Sequence, residues 1–174
     1  RSTSESKLAM GFINSKVMMS VFPLISPTFN YQPGDISKLP GHFPDEDQKT
    51  SGNVTNLVNI ARSDWDAYER SWDFQSLPIL TASSEPTPTL ESSHSAWIVQ
   101  NRAAIAEMKR LEEENNRLFI GAYGLADELT HDVPIEQITL TVNPAYRYGG
   151  KLTEEELWTR FRADSIEELV EVEH

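Results

Sequence analysis

The chain has 174 residues, no cysteine and a formal net charge of −12 at pH 7. This length suits one domain or one piece of a larger protein. The lack of cysteine excludes disulfides and thiolate zinc sites, and it fits the cytoplasm. The lack of a run of about 18 apolar residues argues against a membrane span. The net negative charge argues against binding of nucleic acid by this chain on its own, because DNA affinity depends on clustered lysine and arginine.

The N-terminal element is predicted to be a single helix. Residues 5–22, "ESKLAMGFINSKVMMSVF", repeat apolar groups at helical spacing, and we expect the helix to end by Pro23. Because the chain begins at Arg1 without methionine or an apolar leader, we expect a piece of a longer protein.

An extended loop follows, "SPTFNYQPGDISKLPG", in which prolines and a Pro33-Gly34 turn interrupt regular structure. Asn30 and Gln32 alternate with aromatic residues, and amide side chains can pair bidentately with adenine in the major groove. Alternatively, Asn30 caps the backbone of its own loop. The sequence leaves both interpretations open.

Two long helices are predicted next, each with an apolar seam whose positions alternate in steps of three and four. The first seam contains Val54, Val58, Ala61, Trp65, Tyr68 and Trp72, and the second contains Trp97, Asn101, Ala104, Met108, Leu111, Asn115, Leu118 and Ala122. Such seams favour an antiparallel, coiled-coil-like hairpin, joined by a connection over 75–93 that is rich in Pro, Ser and Thr. Trp65, Trp72 and Trp97 can also stack on bases, but their spacing favours packing between helices, and we interpret Asn115 as a residue that fixes the register.

The C-terminal part is predicted to form a strand at 138–142 and helices at 153–162 and 165–172. The strand leads into the tetrapeptide Asn-Pro-Ala-Tyr, residues 143–146, one residue away from the Asn-Pro-Pro-Tyr motif with which amino-group methyltransferases hold a flipped base. Ala145 lacks the fixed φ and the missing N–H of the second proline. Since no glycine-rich turn between a strand and a helix precedes the tetrapeptide to bind a cofactor, we interpret it as structural.

Sites for metals and for other chemistry are not expected. The four histidines share no ligand spacing, and they are His42, His94, His131 and His174. The sequence contains neither a nucleophile elbow nor a phosphate loop. We therefore assign no catalytic, cofactor-binding or metal-binding residue.

Several stretches resemble one known family. The run "GFINSKVMMSVFPLISPTFNYQPGDISKLP" is similar to the end of the target-recognition region in large adenine-specific DNA methyltransferases. The runs "DWDAYERSWDF" and "LEEENNRLFIGAYGLADEL" are similar to the region that follows in the PglX-type methyltransferases of BREX phage defence and in related fused restriction-modification enzymes. The resemblance implies a parent enzyme that methylates adenine N6 with S-adenosylmethionine. It also implies that the cofactor and Asn-Pro-Pro-Tyr motifs lie upstream of this region.

From these observations we predict a mainly α fold with a minor β component. Residues 1–44 are expected to end a target-recognition region, and residues 45–127 to form the helical hairpin. Residues 128–174 are expected to form a small C-terminal α+β element.

The predicted function is non-catalytic: the chain helps a site-specific adenine methyltransferase to hold and read double-stranded DNA. Residues 1–84 carry 7 basic and 9 acidic side chains (net −2), and residues 85–174 carry 8 and 18 (net −10), so DNA contact is expected in the first part. The alternative is an acidic interaction module that docks other defence proteins and never touches DNA. The candidate DNA-binding residues are Lys16, Asn30, Tyr31, Gln32, Lys38 and Arg70.

Overall fold

The computed structural model describes residues 3–25, 34, 39, 41–44 and 47–148. Their α-helices are α1 (Thr3–Ile13), α2 (Lys16–Ile25), α3 (Asp47–Asp66), α4 (Leu90–Tyr123) and α5 (Pro144–Tyr148). Two short 3-10 helices, Pro78–Leu80 and Ile135–Gln137, lie in the connections. The prediction of a mainly α fold is confirmed, and these residues contain no strand. The predicted helices at 153–162 and 165–172 lie outside the described residues.

The chain divides into two compact units. The first combines residues 1–57 with 110–132, and the second combines residues 58–109 with 133–174. In the described ranges, no single helix is long and apolar enough to cross a membrane. Among the helices of these ranges, one pair reaches that length and composition when taken together, and it is α1 and α2, with a bend of 73° between them.

The predicted single N-terminal helix is wrong, because the chain breaks at Ser15 into α1 and α2. The Ser15 hydroxyl donates to the Phe12 carbonyl at 2.7 Å and accepts the Met18 amide at 3.4 Å. A serine in front of the first turn caps a helix in this way. The amide of Lys16, the first residue of α2, donates to Oδ1 of Asn116 on α4 at 2.9 Å. Polar contacts with a distant helix thus decide a boundary that apolar spacing does not show.

Pro23 lies inside α2, which continues to Ile25, so the prediction that the helix ends by Pro23 is also wrong. Proline removes the amide that would bind the carbonyl four residues earlier, here that of Met19. Met19 itself is 65% exposed, so this turn lies at the surface. Burial of Phe22 in the core holds the last turn in place.

The core of the first unit is aromatic. Phe119 on α4 has no exposed surface, and its ring centroid lies 5.7 Å from that of Phe12. The Phe12 ring also stacks on Tyr123 at 6.0 Å and meets the edge of Phe43 at 5.8 Å. The buried cluster comprises Phe12, Val17, Met18, Phe22, Phe119 and Ile120.

Gly11 lets α1 approach its neighbours closely. Its carbonyl accepts a hydrogen bond from Nδ2 of Asn115 on α4 at 2.9 Å. A Cβ atom added at Gly11 would lie 2.9 Å from Asn115 Oδ1 and 3.0 Å from Cγ2 of Val54 on α3. Both neighbours are buried. Asn115, which the sequence suggested as a register residue, therefore binds the backbone of α1.

Replacing Gly11 by alanine should lower the free energy of unfolding by about 1–3 kcal/mol, the usual range for overpacking. Alanine is the better helix former, but Asn115 can move aside only by giving up its bond to the Gly11 carbonyl. The matched control is Gly121→Ala, also in a helix, where nothing lies within 4 Å of an added Cβ. We expect this control to be neutral or slightly stabilising. Urea denaturation measures both, and equal stability of the two variants would contradict close packing at Gly11.

Two neighbouring glutamates of α4 have pKa values shifted in opposite directions. Burial raises the pKa of Glu112 to about 7. Hydrogen bonds from Arg117 and Lys49 lower the pKa of Glu114 to about 2. The Arg117 guanidinium donates to Glu114 at 2.6 and 2.8 Å, and the Lys49 ammonium lies 2.6 Å from the same carboxylate.

Ionisation of Glu112 should make the free energy of unfolding depend on pH. Its folded pKa of about 7 lies above the ordinary value of 4.5, so ionisation destabilises the folded state as the pH rises from 4.5 through 7. The Glu114 shift acts below pH 4.5 and does not overlap. After allowance for solvent screening, Glu112→Gln should raise the free energy of unfolding by about 1–2 kcal/mol at pH 8 and hardly change it near pH 4. Denaturant titrations at both pH values test this, and a gain that is the same at both would count against a buried carboxyl group.

The first predicted seam is correct at Val54, which is buried, and wrong at four exposed positions, which are Val58, Ala61, Trp65 and Trp72. Helix α3 ends at Asp66, and Trp65 and Trp72 are 50% and 102% exposed. The second seam is confirmed by its buried members, which are Asn101, Met108, Leu111, Asn115 and Leu118.

The predicted strand at 138–142 is wrong, although its apolar alternation marks burial correctly. Ile138 and Leu140 are 0% and 1% exposed. The amides of Thr141 and Val142 donate to the carboxylate of Asp64 at 2.8 and 3.3 Å. One aspartate side chain supplies the acceptors that a neighbouring strand would otherwise provide.

Candidate interaction surface

The turn after α3 is built on Ser71. The Ser71 amide donates to the Tyr68 carbonyl at 2.9 Å, and its hydroxyl donates to Asp66 Oδ1 at 2.5 Å. The same hydroxyl accepts the Asp73 amide at 3.1 Å. Because Ser71 is buried and its amide and hydroxyl make these three hydrogen bonds, the local backbone has a defined shape. We call residues 65–73 the tryptophan turn.

Arg70 joins the tryptophan turn to the segment around Thr141. Its guanidinium carbon lies 4.4 Å from the ring centroid of Trp65 and 5.1 Å from that of Tyr68. Nη2 donates to the Thr141 hydroxyl at 2.9 Å. The cation is therefore stacked on two aromatic faces, which fixes its direction while its remaining N–H groups stay available as donors.

Trp72 is the most exposed large apolar side chain of the turn. At 102% exposure its whole indole meets solvent, while Ser71 beside it is buried. Exposed carboxylates flank it in the sequence at Glu69 and Asp73. Tryptophan is enriched among the side chains that dominate binding energy at interfaces, so this exposed indole is a candidate contact for a partner.

Asn143, the first residue of the Asn-Pro-Ala-Tyr tetrapeptide, is a buried structural residue. Its Nδ2 donates to the carbonyls of Ile135 and Ile138 at 2.9 and 2.8 Å, and its Oδ1 accepts the Ala145 amide at 3.2 Å. The residue has no exposed surface. Its side chain closes the turn between the second 3-10 helix and α5.

The second unit also contains an open cavity of about 390 Å³. Its walls are mainly apolar and include Trp97, Leu140 and Val142, together with amide side chains. One of these amides, that of Gln100, donates to the Ala82 carbonyl at 3.0 Å. The complete lining is Asn59, Ile60, Ser63, Asp64, Ala67, Pro78, Trp97, Gln100, Asn101, Ala104, Leu140 and Val142.

The described structure includes two of the predicted DNA-binding residues, and each belongs to a different unit. Lys16 belongs to the first unit, where its ammonium donates to the Asp132 carbonyl, and Arg70 belongs to the second unit. The others lie outside the described residues, and they are Asn30, Tyr31, Gln32 and Lys38. Within the described ranges, no group of three or more His, Cys, Asp or Glu side chains is placed to hold a metal ion.

The exposure of Trp72 was missed in the sequence because its spacing from Trp65 and Tyr68 continues the seam. A signal was present nevertheless. Ser71 stands between Asp66 and Asp73, and serine and aspartate side chains bind nearby backbone or one another in turns.

Two known proteins are similar to this chain over most of its length. The adenine-specific methyltransferase PglX of Lacticaseibacillus casei (strain Zhang) is 33% identical over 126 residues, which cover 70% of this chain and 10% of that protein. The adenine-specific methyltransferase BrxX of Escherichia coli O9:H4 (strain HS) is 28% identical over 162 residues, which cover 91% of this chain and 12% of that protein. No family model matches. The chain spans about a tenth of the length of these two relatives.

Proposed function

We propose that this chain, which is homologous to one segment of the PglX-type adenine-specific methyltransferases, is a non-catalytic DNA-recognition and scaffold segment of such an enzyme. The parent would methylate adenine N6 at specific sites in phage defence, of either the BREX or the restriction-modification kind. The observation that carries this proposal is the alignment of 70% and 91% of the chain with proteins named adenine-specific methyltransferases.

The contacts of Asn143 support a non-catalytic role. In an Asn-Pro-Pro-Tyr site, the asparagine oxygen must accept a hydrogen bond from the exocyclic amine of the flipped base. Here that oxygen is buried and accepts the Ala145 amide. Methyl transfer from S-adenosylmethionine would therefore take place in another part of the parent enzyme.

The length of α4 supports a scaffold role. A helix of 34 residues spans about 50 Å at 1.5 Å per residue. Its buried positions recur in both compact units, for example Ile105 in the second and Leu111 in the first. A long helix that contributes buried positions to each unit is the kind of element on which a scaffold can be built.

DNA contact is proposed for the N-terminal part, where the net charge of residues 1–84 is only −2 (7 basic, 9 acidic). Lys16 uses one of its three N–H donors on the Asp132 carbonyl, and Arg70 uses one of five on Thr141. Both side chains keep donors with which to bind phosphate.

The salt dependence of DNA binding tests this proposal in a full-length methyltransferase that carries the segment. Replacing Lys16, Lys38 and Arg70 by alanine together should weaken binding. It should also reduce the slope of log affinity against log salt by about 0.9 for each phosphate that the variant no longer neutralises. Binding is measured by fluorescence anisotropy with a labelled duplex at several salt concentrations.

The matched control is Lys49→Ala, which removes a basic residue of the first unit that is paired with Glu114. We expect it to leave the slope unchanged. Melting temperatures show whether each variant is folded, because Lys16 also contributes a hydrogen bond to the fold. A triple variant that is folded and keeps the wild-type affinity and slope would contradict DNA contact at these positions and favour the docking alternative.

A further inference from the structure

We propose that Trp72, with the carboxylates of Glu69 and Asp73, forms a docking surface for a protein segment that carries lysine or arginine side chains. The inference rests on Trp72, Glu69 and Asp73 and not on Arg70, the residue of the same turn that is proposed to contact DNA. The two can therefore fail independently.

The first argument is the exposure of Trp72 on a backbone of defined shape. The indole is 102% exposed, and the residue before it, Ser71, is held by Tyr68, Asp66 and Asp73 at 2.9, 2.5 and 3.1 Å. A partner that covers this ring has little backbone to order, so more of the contact energy appears as affinity. Tryptophan is also enriched among the side chains that dominate binding energy at protein interfaces.

The second argument is charge. Residues 64–73 contain four carboxylates and one guanidinium, a net charge of −3, and Arg70 directs its cation over the rings of Trp65 and Tyr68. The open indole of Trp72 thus lies in an acidic stretch with Glu69 and Asp73 exposed beside it in the sequence.

These two features select a cationic partner over a nucleic acid. The face of an indole attracts lysine and arginine cations, and carboxylates form charge-assisted hydrogen bonds with the same groups. A nucleic-acid strand can also stack bases on tryptophan, but the exposed carboxylates of Glu69 and Asp73 repel its phosphates. The Arg70 guanidinium, which is proposed to contact DNA, is directed over Trp65 and Tyr68 instead. A partner without charge would gain nothing from Glu69 and Asp73.

The test uses the full 174-residue chain and a fluorescein-labelled peptide of alternating arginine and glycine. Because the chain has a net charge of −12, any basic peptide will be attracted to it. The variants must therefore distinguish this non-specific attraction from binding at the proposed surface. Trp72→Ala changes no charge, and we expect it to weaken binding about tenfold, within the range of one cation–π contact supported by carboxylates. Trp72→Phe should recover part of the loss, since phenylalanine keeps an aromatic face.

The matched control is Leu24→Ala, which removes an apolar side chain that is 84% exposed in the first unit. It should leave peptide binding unchanged. The double variant Glu69→Gln with Asp73→Asn should weaken binding severalfold, and more than a pair of neutralised carboxylates elsewhere, such as Glu91→Gln with Glu128→Gln.

Three results would overturn the proposal. The first is equal peptide affinity in Trp72→Ala and Leu24→Ala. The second is a Glu69 and Asp73 double variant that binds no more weakly than the Glu91 and Glu128 control. The third is binding of a labelled oligothymidine that depends on Trp72 and is tighter than binding of the peptide, which would assign the surface to single-stranded nucleic acid.

Discussion

Replacing Phe119 by alanine should lower the free energy of unfolding by about 3–5 kcal/mol, the range for deletion of a buried aromatic side chain. Phe119 has no exposed surface and lies at the centre of the buried aromatic cluster in the described part of the first unit. Its ring contacts Phe12 at 5.7 Å between centroids, and Phe12 in turn stacks on Tyr123 at 6.0 Å. Loss of the ring would leave a cavity among α1, α2 and α4, the helices that supply the buried cluster.

The matched control for Phe119 is Trp72→Ala, which removes a larger ring that is 102% exposed. We expect this control to change stability by less than about 0.5 kcal/mol, as is usual for surface substitutions. Thermal and urea unfolding, followed by circular dichroism, compare the two. If both variants had the melting temperature of the wild type, the aromatic core would not stabilise the fold.

Replacing Asn143 by alanine should cost about 3–4.5 kcal/mol, because it removes three hydrogen bonds of a buried side chain that each contribute roughly 1–1.5 kcal/mol. The carbonyls of Ile135 and Ile138 and the amide of Ala145 would all lose their side-chain partner. The surrounding segment is buried, as Ile138 and Leu140 show, so water cannot easily replace the missing group.

Asn59→Ala is the control for Asn143, because Asn59 is an exposed asparagine of the same unit. It should be almost neutral in urea unfolding. A catalytic tetrapeptide predicts a different pattern, in which Asn143→Ala retains stability and the parent loses methylation. Wild-type stability of Asn143→Ala would therefore contradict the structural assignment.

Periodicity predicted the buried face of α4 because one long helix repeats its contacts over many turns. Met108, Leu111 and Leu118 all lie on this face and are buried. The same periodicity failed at Trp72, because a helix can end between two seam positions and the spacing alone cannot show it. The hydrogen bond from Ser71 to Asp66 marks that end. Trp65, which the spacing assigned to the first seam, is likewise 50% exposed.

Contacts between residues far apart in the chain explain the remaining differences. The strand predicted at 138–142 has the correct alternation of buried residues, but its amide partner is Asp64, which is 77 residues away from Thr141. Likewise, Asn116 caps the start of α2 from 100 residues away. Local patterns cannot reveal such side-chain acceptors.

At the candidate surface, too, the sequence indicated local features but not contacts between residues far apart in the chain. The sequence suggested Arg70 as a basic residue, and its position over Trp65 follows from a turn that brings two residues five apart into contact. Its bond to Thr141, 71 residues away, required the structure. The contacts of the loop residues Asn30, Tyr31, Gln32 and Lys38 stay predictions.

The measurement that tests the central claim most directly is the sequencing of N6-methyladenine in cells whose full-length methyltransferase carries Asn30→Ala with Gln32→Ala. If this segment takes part in recognition, the variant should lack amide hydrogen bonds to bases that are each worth about 1–3 kcal/mol of discrimination. The methylated motif should then relax at particular positions, while the affinity for S-adenosylmethionine stays unchanged. Methylation of the unaltered motif at normal occupancy would contradict the account.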